Sequence, residues 1–270
     1  MSGGSTPASS ASASRREARR VEPVLEELPP VRPRHPVAAV VLALGPLLAT
    51  ASLVGFLLLL NGVRHASITP FRPGALALDL VLALQFVLGH SLLARGFGRR
   101  LLNRPLGPSG ERPLYVLVAG VSLALLVLGW RTCGPLVWRW EDGWRLLAHV
   151  LQALGLGLAT WGSLVAGGRH LLGLPELRAL WTGEGAEEPP FTALPPYSFV
   201  RHPVHLGFLV MLTAQPEVTV DRLLLMAVFV AWLLLAVPFE ERDLLVRFEG
   251  YARYLERTPR WLPRPGARER

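Results

Sequence analysis

Five apolar runs, at 37–60, 75–94, 114–130, 146–167 and 223–239, dominate the chain, and each is long enough to cross a bilayer as a helix. In hydrocarbon every backbone N–H and C=O must be satisfied within the protein, so runs of this kind fold as helices. The expected fold is therefore all-α: a polytopic integral membrane bundle of five to six spans with a C-terminal helical hairpin and a cytosolic tail. Half of the 270 residues (51%) are hydrophobic, which suits a single membrane domain better than a soluble one. Pro46 predicts a kink in the first span. The fourth is rich in small residues (Gly155, Gly157, Ala159, Gly162), which suits close helix packing in lipid.

The basic residues lie between these runs. All 28 are Arg, and they give a formal net charge of +8. A nucleic-acid-binding protein would gather them on one continuous face; here they punctuate apolar spans, as the positive-inside rule places them. Arg95, Arg99, Arg100, Arg104 and Arg112 follow the second span, and the C-terminal tail is dense in Arg. The loop after the third span is instead rich in Trp (Trp138, Trp140, Trp144), as at an outer interface. Both termini are then expected in the cytosol. Residues 1–36, a Ser/Ala/Arg/Pro-rich leader, have too little apolar surface to offset chain entropy and are expected to be disordered, as is 264–270. The leader lacks the short apolar core and cleavage site of a signal peptide. Cys133 is the single cysteine, which excludes an internal disulfide and a CxxC site.

The polar groups concentrate at the C-terminal end, 197–262. Tyr197, Arg201, His202 and Pro203 stand at the lip of a short apolar run, 204–214. After the break at 215–221 a second run ends at Glu240 and Glu241. At ~1.5 Å per residue the first arm climbs roughly 17 Å and the second descends roughly 25 Å, so both ends return to one side of the membrane. Glu240 and Glu241 should then meet Arg201 and His202, with His205 one turn beyond on the same face. Charges at the feet of a membrane hairpin are costly unless they pair or bind something. Physics alone also allows a plainer reading, in which they are interfacial charges and Pro203 merely starts a helix.

A resemblance adds to this. Arg201-His202-Pro203, Gly207, Glu240-Glu241-Arg242-Asp243, Phe248, Tyr251, Tyr254 and Pro259 resemble the isoprenylcysteine carboxyl methyltransferase superfamily. His90-Ser91, Glu111-Arg112 with Tyr115, and His170 before Gly173-Leu174 extend the likeness to its bacterial NnrU-like and methanethiol S-methyltransferase branch, over about residues 75–263. Two positions depart from the pattern: His205 replaces a tyrosine, and Phe248-Glu249-Gly250-Tyr251 is one residue short. The resemblance implies S-adenosylmethionine as cofactor. Carried over, Tyr197, Arg201, His202, Pro203, Gly207, Glu240, Glu241 and Tyr254 would form its site, and His90 or His202 would assist loss of a thiol proton. A carboxylate suits the cofactor's cationic groups, and an arginine suits its carboxylate.

His149 reads as structural, His170 is open between the two readings, and Asp79 reads as interfacial. No His pair at i, i+4 and no carboxylate–His motif on one helix marks a metal or haem site. The expected function is methyl transfer to a small thiol such as methanethiol. A non-catalytic NnrU-like accessory protein of nitrogen-oxide or respiratory metabolism, or a methyltransferase for a prenyl or lipid carboxylate, are the alternatives. The expected surroundings are the lipid bilayer of a bacterial inner membrane; no nucleic acid is expected, and the oligomeric state is open.

Overall fold

The computed structural model describes residues 35–61, 70–186 and 191–263. The sequence expectations for the leader and the 264–270 tail therefore fall largely outside the described residues. Five helical stretches are long and apolar enough to cross a membrane: Pro36–Leu60, Pro73–Leu93, Pro108–Gly129, Asp142–Val165 and Val220–Arg247. Large apolar side chains such as Leu47, Val81, Leu128, Leu154 and Leu235 point outward and are more than half exposed. Contiguous apolar surface of this kind needs lipid around it. The protein is an all-α polytopic membrane bundle.

Local sequence explains the elements. The first span is two helices, α1 (Pro36–Leu42) and α2 (Leu44–Leu60), broken at Ala43. Pro46 has no N–H to donate to the Leu42 carbonyl, so the helix restarts with the proline in its first turn. Pro73 and Pro108 likewise open α3 (Pro73–Leu93) and α5 (Pro108–Gly129). Between them lies α4 (Gly96–Leu106), a short amphipathic helix in the Arg-rich loop. Gly107, with φ 68°, lets the chain turn from α4 into α5. The polar loop at 169–201 contains α7 (Gly168–Leu171) and α8 (Leu174–Thr182), which follow α6 (Asp142–Val165).

The C-terminal hairpin consists of α9 (Pro203–Thr213) and α10 (Val220–Arg247), then α11 (Tyr251–Arg257). With 11 residues, α9 is about 16 Å long, half of a hydrocarbon core. The break between α9 and α10 is a strand, β2 (Glu217–Thr219), paired antiparallel with β1 (Leu136–Arg139) at the end of the bundle. The 28-residue α10 does not stop where its apolar run stops; Glu240 and Glu241 lie inside it, roughly 30 Å along. That places them at the edge of the hydrocarbon.

Close approaches set the helix order. On α6, a Cβ at Gly155 would sit 2.6 Å from the Gly207 carbonyl oxygen of α9, and one at Gly207 would strike the Gly155 oxygen and the Ala159 nitrogen. Gly120 of α5 meets the Ala49 backbone of α2 in the same way, and Ser52 donates to the Gly120 carbonyl at 3.1 Å. Gln85 of α3 and Ser122 of α5 exchange two hydrogen bonds at 2.7 and 2.9 Å. The apolar core draws on α2, α3, α5, α9 and α10, with Phe56, Phe86, Leu126, Leu212, Leu225 and Phe229 at its centre. At the β1–β2 end Asp221 accepts from Trp130 Nε1 (3.0 Å) and Thr219 (2.7 Å). Asp79, read from sequence as interfacial, is wholly buried there and accepts from the Arg131 N–H at 2.8 Å.

Candidate functional site

Between this core and the Arg-rich end of the bundle lies a cavity of about 620 Å³. Its walls are largely apolar (Phe56, Phe86, Leu123, Phe229), and two polar groups line it as well. The first comes from α3, α5 and α10. The Tyr115 hydroxyl lies 2.9 Å from His90 Nε2 and 3.1 Å from Nδ1. Trp232 stands edge-on to the His90 ring at 5.4 Å and donates its indole N–H to Ser91 Oγ at 2.6 Å. The Arg112 guanidinium lies over the Tyr115 ring, 5.2 Å from its centroid, and donates to the His170 and Leu171 carbonyls.

The second polar group is the foot of the hairpin. Pro203 opens α9, so Arg201 and His202 leave the membrane edge at a fixed angle. Arg201 donates to Glu241 Oε1 at 2.9 Å and to the Leu255 and Thr258 carbonyls at 3.0 and 2.6 Å. It thereby ties the end of α11 to the hairpin. The other Glu241 contacts are His202 Nε2 at 3.0 Å and the Arg260 guanidinium at 2.5 Å. A buried carboxylate with three cationic or N–H partners stays ionised and accepts from all of them. His202 Nε2 therefore donates to Glu241, and Nδ1 lies 3.6 Å from Glu240 Oε2. The His205 Nε2 reaches the same Glu240 oxygen at 3.4 Å. One N or O atom each from His202, His205 and Glu240 thus lies within 4.8 Å of the others, an arrangement able to hold a metal ion.

The residues singled out from sequence divide between cavity wall and frame. His90, Tyr197, Arg201, His202, Pro203 and Glu240 line the cavity. Gly207, Glu241 and Tyr254 stand behind it. Gly207 is the contact point of α9 on α6, Glu241 holds Arg201 and His202, and Tyr254 donates to the Tyr197 carbonyl at 2.7 Å. Tyr197 in turn donates to the Gly162 carbonyl at 3.2 Å. Burial, with the charge of Glu240 adding to it, pushes the Tyr197 phenol up to about 12. Burial also takes Tyr251 to about 12, so both remain donors at neutral pH. His170 pairs with Glu176 at 3.5 Å, away from the cavity lining. Sequence reasoning missed Trp232 and Arg260. An indole N–H in the middle of an apolar span was the available signal for Trp232, because it needs an acceptor there.

No family model and no solved structure matches the chain. Characterised proteins do. Over 215 residues it is 35% identical to the methanethiol S-methyltransferase of Mycobacterium tuberculosis, covering 78% of this chain and 87% of that protein. The chain belongs to the isoprenylcysteine carboxyl methyltransferase-like family. It is also 31% identical over 191 residues to methanethiol S-methyltransferase 1 of Bradyrhizobium diazoefficiens, with 70% of this chain and 67% of that protein covered. Nurim of Mus musculus, a further member, is 34% identical over 179 residues, 63% of this chain and 68% of its own.

Proposed function

We propose that the protein is a membrane S-methyltransferase that carries a methyl group from S-adenosylmethionine to methanethiol, giving dimethyl sulfide. One observation carries the reading: in a chain similar to methanethiol S-methyltransferases, the His90–Tyr115 pair and the His202–Glu240 foot line a single cavity. The cavity's size suits a cofactor with a small acceptor. Bound S-adenosylmethionine would supply an electrophilic methyl on a sulfonium sulfur. Glu240 offers a carboxylate to its cationic groups, Arg201 offers positive charge to its carboxylate, and Tyr197 closes the wall beside them. Glu241 and Tyr254 hold these residues in place without lining the cavity themselves.

The acceptor side belongs to His90. Tyr115 and the Trp232–Ser91 pair fix its ring, so one nitrogen can receive the thiol proton while the apolar walls exclude water. Most of the barrier to methyl transfer is positional, and rigid helices supply the position. Within the family we place the chain on the branch that joins methanethiol S-methyltransferases with NnrU-like proteins. The Arg-rich end, where Arg99 meets Glu111 and Arg201 meets α11, faces the cytosol in this reading, in a bacterial inner membrane.

Purified protein supplied with methyl-labelled S-adenosylmethionine and methanethiol should release labelled dimethyl sulfide into the headspace, and His90→Ala should lose it. Label appearing in the lipid fraction with none in the headspace would replace the thiol with a membrane-borne acceptor. An absence of cofactor binding by calorimetry would remove the reading altogether.

A further inference from the structure

We propose that the exposed face of α4 is a binding surface for acidic phospholipids, with Arg100 and Arg104 taking the headgroup phosphates and Phe97 and Leu101 lying among the acyl chains. The helix follows α3 after a link of two residues, Ala94 and Arg95. The 21 residues of α3 rise roughly 30 Å, so α4 begins where the chain leaves the hydrocarbon. Its sequence puts two kinds of side chain on one face. Phe97 and Leu101 are one helical turn apart, as are Arg100 and Arg104, and the two rows are neighbours. All four side chains are exposed, Phe97 to 73% and Leu101 to 43%. The opposite face is taken up by the protein: Gly98 and Leu102 are buried, and Leu102 packs with Tyr115 and Val116 of α5.

Charge identifies the partner. Residues 94–110 hold Arg95, Arg99, Arg100 and Arg104, with no Asp or Glu among them. Arg99 pairs with Glu111 of α5 at 2.5 Å. Arg95 lies over the Phe239 ring of α10, 4.8 Å from its centroid. Arg100 and Arg104 have no hydrogen-bond or ion-pair partner among the described residues. A zwitterionic headgroup brings no net charge to two such guanidinium groups. An acidic headgroup does, and its phosphate oxygens match the guanidinium fork.

The path of the chain says why the occupant is a lipid. Leu88 and Leu92 of α3 and Phe97 of α4 follow one another along the chain, and each is more than half exposed. Lipid covers apolar surface of this kind on a membrane span. That cover continues onto the first turn of α4, and its headgroups are what Arg100 and Arg104 meet. Juxtamembrane arginines are drawn to acidic leaflets in this way. Neither arginine lines the cavity, so the surface stands apart from the methyl-transfer reading.

The test uses the full chain in detergent micelles, titrated with phosphatidylglycerol and with phosphatidylcholine of the same acyl chains, and followed by native mass spectrometry. The parent should bind phosphatidylglycerol at least tenfold more tightly. At about fivefold per arginine, Arg100→Gln combined with Arg104→Gln should lose roughly 30-fold in affinity for phosphatidylglycerol and little for phosphatidylcholine. Arg100→Lys with Arg104→Lys should keep most of the preference. Arg145→Gln, near the start of α6 at the other end of the bundle, should keep all of it. Equal binding of the two lipids by the parent would overturn the proposal, as would a double glutamine variant that binds phosphatidylglycerol as the parent does. A two-chain mass that the double variant abolishes would put a second copy on this face and overturn it too. Full displacement of the lipid by an equal concentration of inorganic phosphate would make the arginines a site for a free anion instead.

Discussion

Glu240 and Glu241 are adjacent in sequence, yet the structure assigns them different work, and neutralising each in turn separates the two. Glu241 accepts from Arg201, His202 and Arg260, and the side chains of Glu241, Arg201 and His202 are 8%, 11% and 3% exposed. Glu241→Gln keeps the shape but turns one acceptor oxygen into a donor facing other donors. Breaking a buried charge pair costs about 3–5 kcal/mol. The Arg260 contact adds little, because that side chain is 42% exposed and water replaces the lost partner. Glu240 is 44% exposed and its nearest partners are longer than 3.3 Å, so Glu240→Gln should cost less than about 1 kcal/mol. At roughly 2–4 °C per kcal/mol, Glu241→Gln should melt about 6–20 °C below the parent, and Glu240→Gln within about 4 °C of it. Tryptophan fluorescence during heating in detergent reads both. Because Arg201 also holds the Leu255 and Thr258 carbonyls, trypsin should cut the α11 tail faster in Glu241→Gln alone. Equal melting of the two variants would refute the division between frame and wall.

Three further outcomes follow from the geometry. Gly207→Ala places a methyl against the Gly155 oxygen and the Ala159 nitrogen, so α9 must move off α6; a loss of about 1–3 kcal/mol in unfolding is expected, with methyl transfer falling alongside it. Tyr115→Phe removes the hydroxyl that fixes His90, and should lower methyl transfer roughly 10- to 100-fold while calorimetric binding of S-adenosylmethionine stays unchanged. Cys133 is fully buried and burial raises its thiol pKa, so it should resist maleimide labelling at neutral pH until the protein is denatured; rapid labelling of the folded protein would contradict that burial.

The membrane fold was legible because its cause is local. Runs such as 75–94 and 146–167 are apolar along their whole length, and a bilayer leaves such segments no choice but helix. The proline breaks were legible for the same reason, since a missing N–H acts within one turn. Helix rise alone brought Arg201 and His202 to Glu240 and Glu241, because two arms of a hairpin must return to the same side. Distances across the bundle were a different matter. That Tyr115 meets His90, that Trp232 serves Ser91, and that Arg260 closes on Glu241 depend on how α3, α5, α10 and the tail pack, which spacing along one chain does not encode. The His202–His205–Glu240 grouping shows the same limit: it lies on no single helix, because the carboxylate comes from α10 and the imidazoles from the start of α9. Gly207 and Glu241 fit a methyltransferase pattern equally well as wall or as frame. Only the approach of α9 to α6, and the closure of Arg201 over α11, placed both behind the cavity.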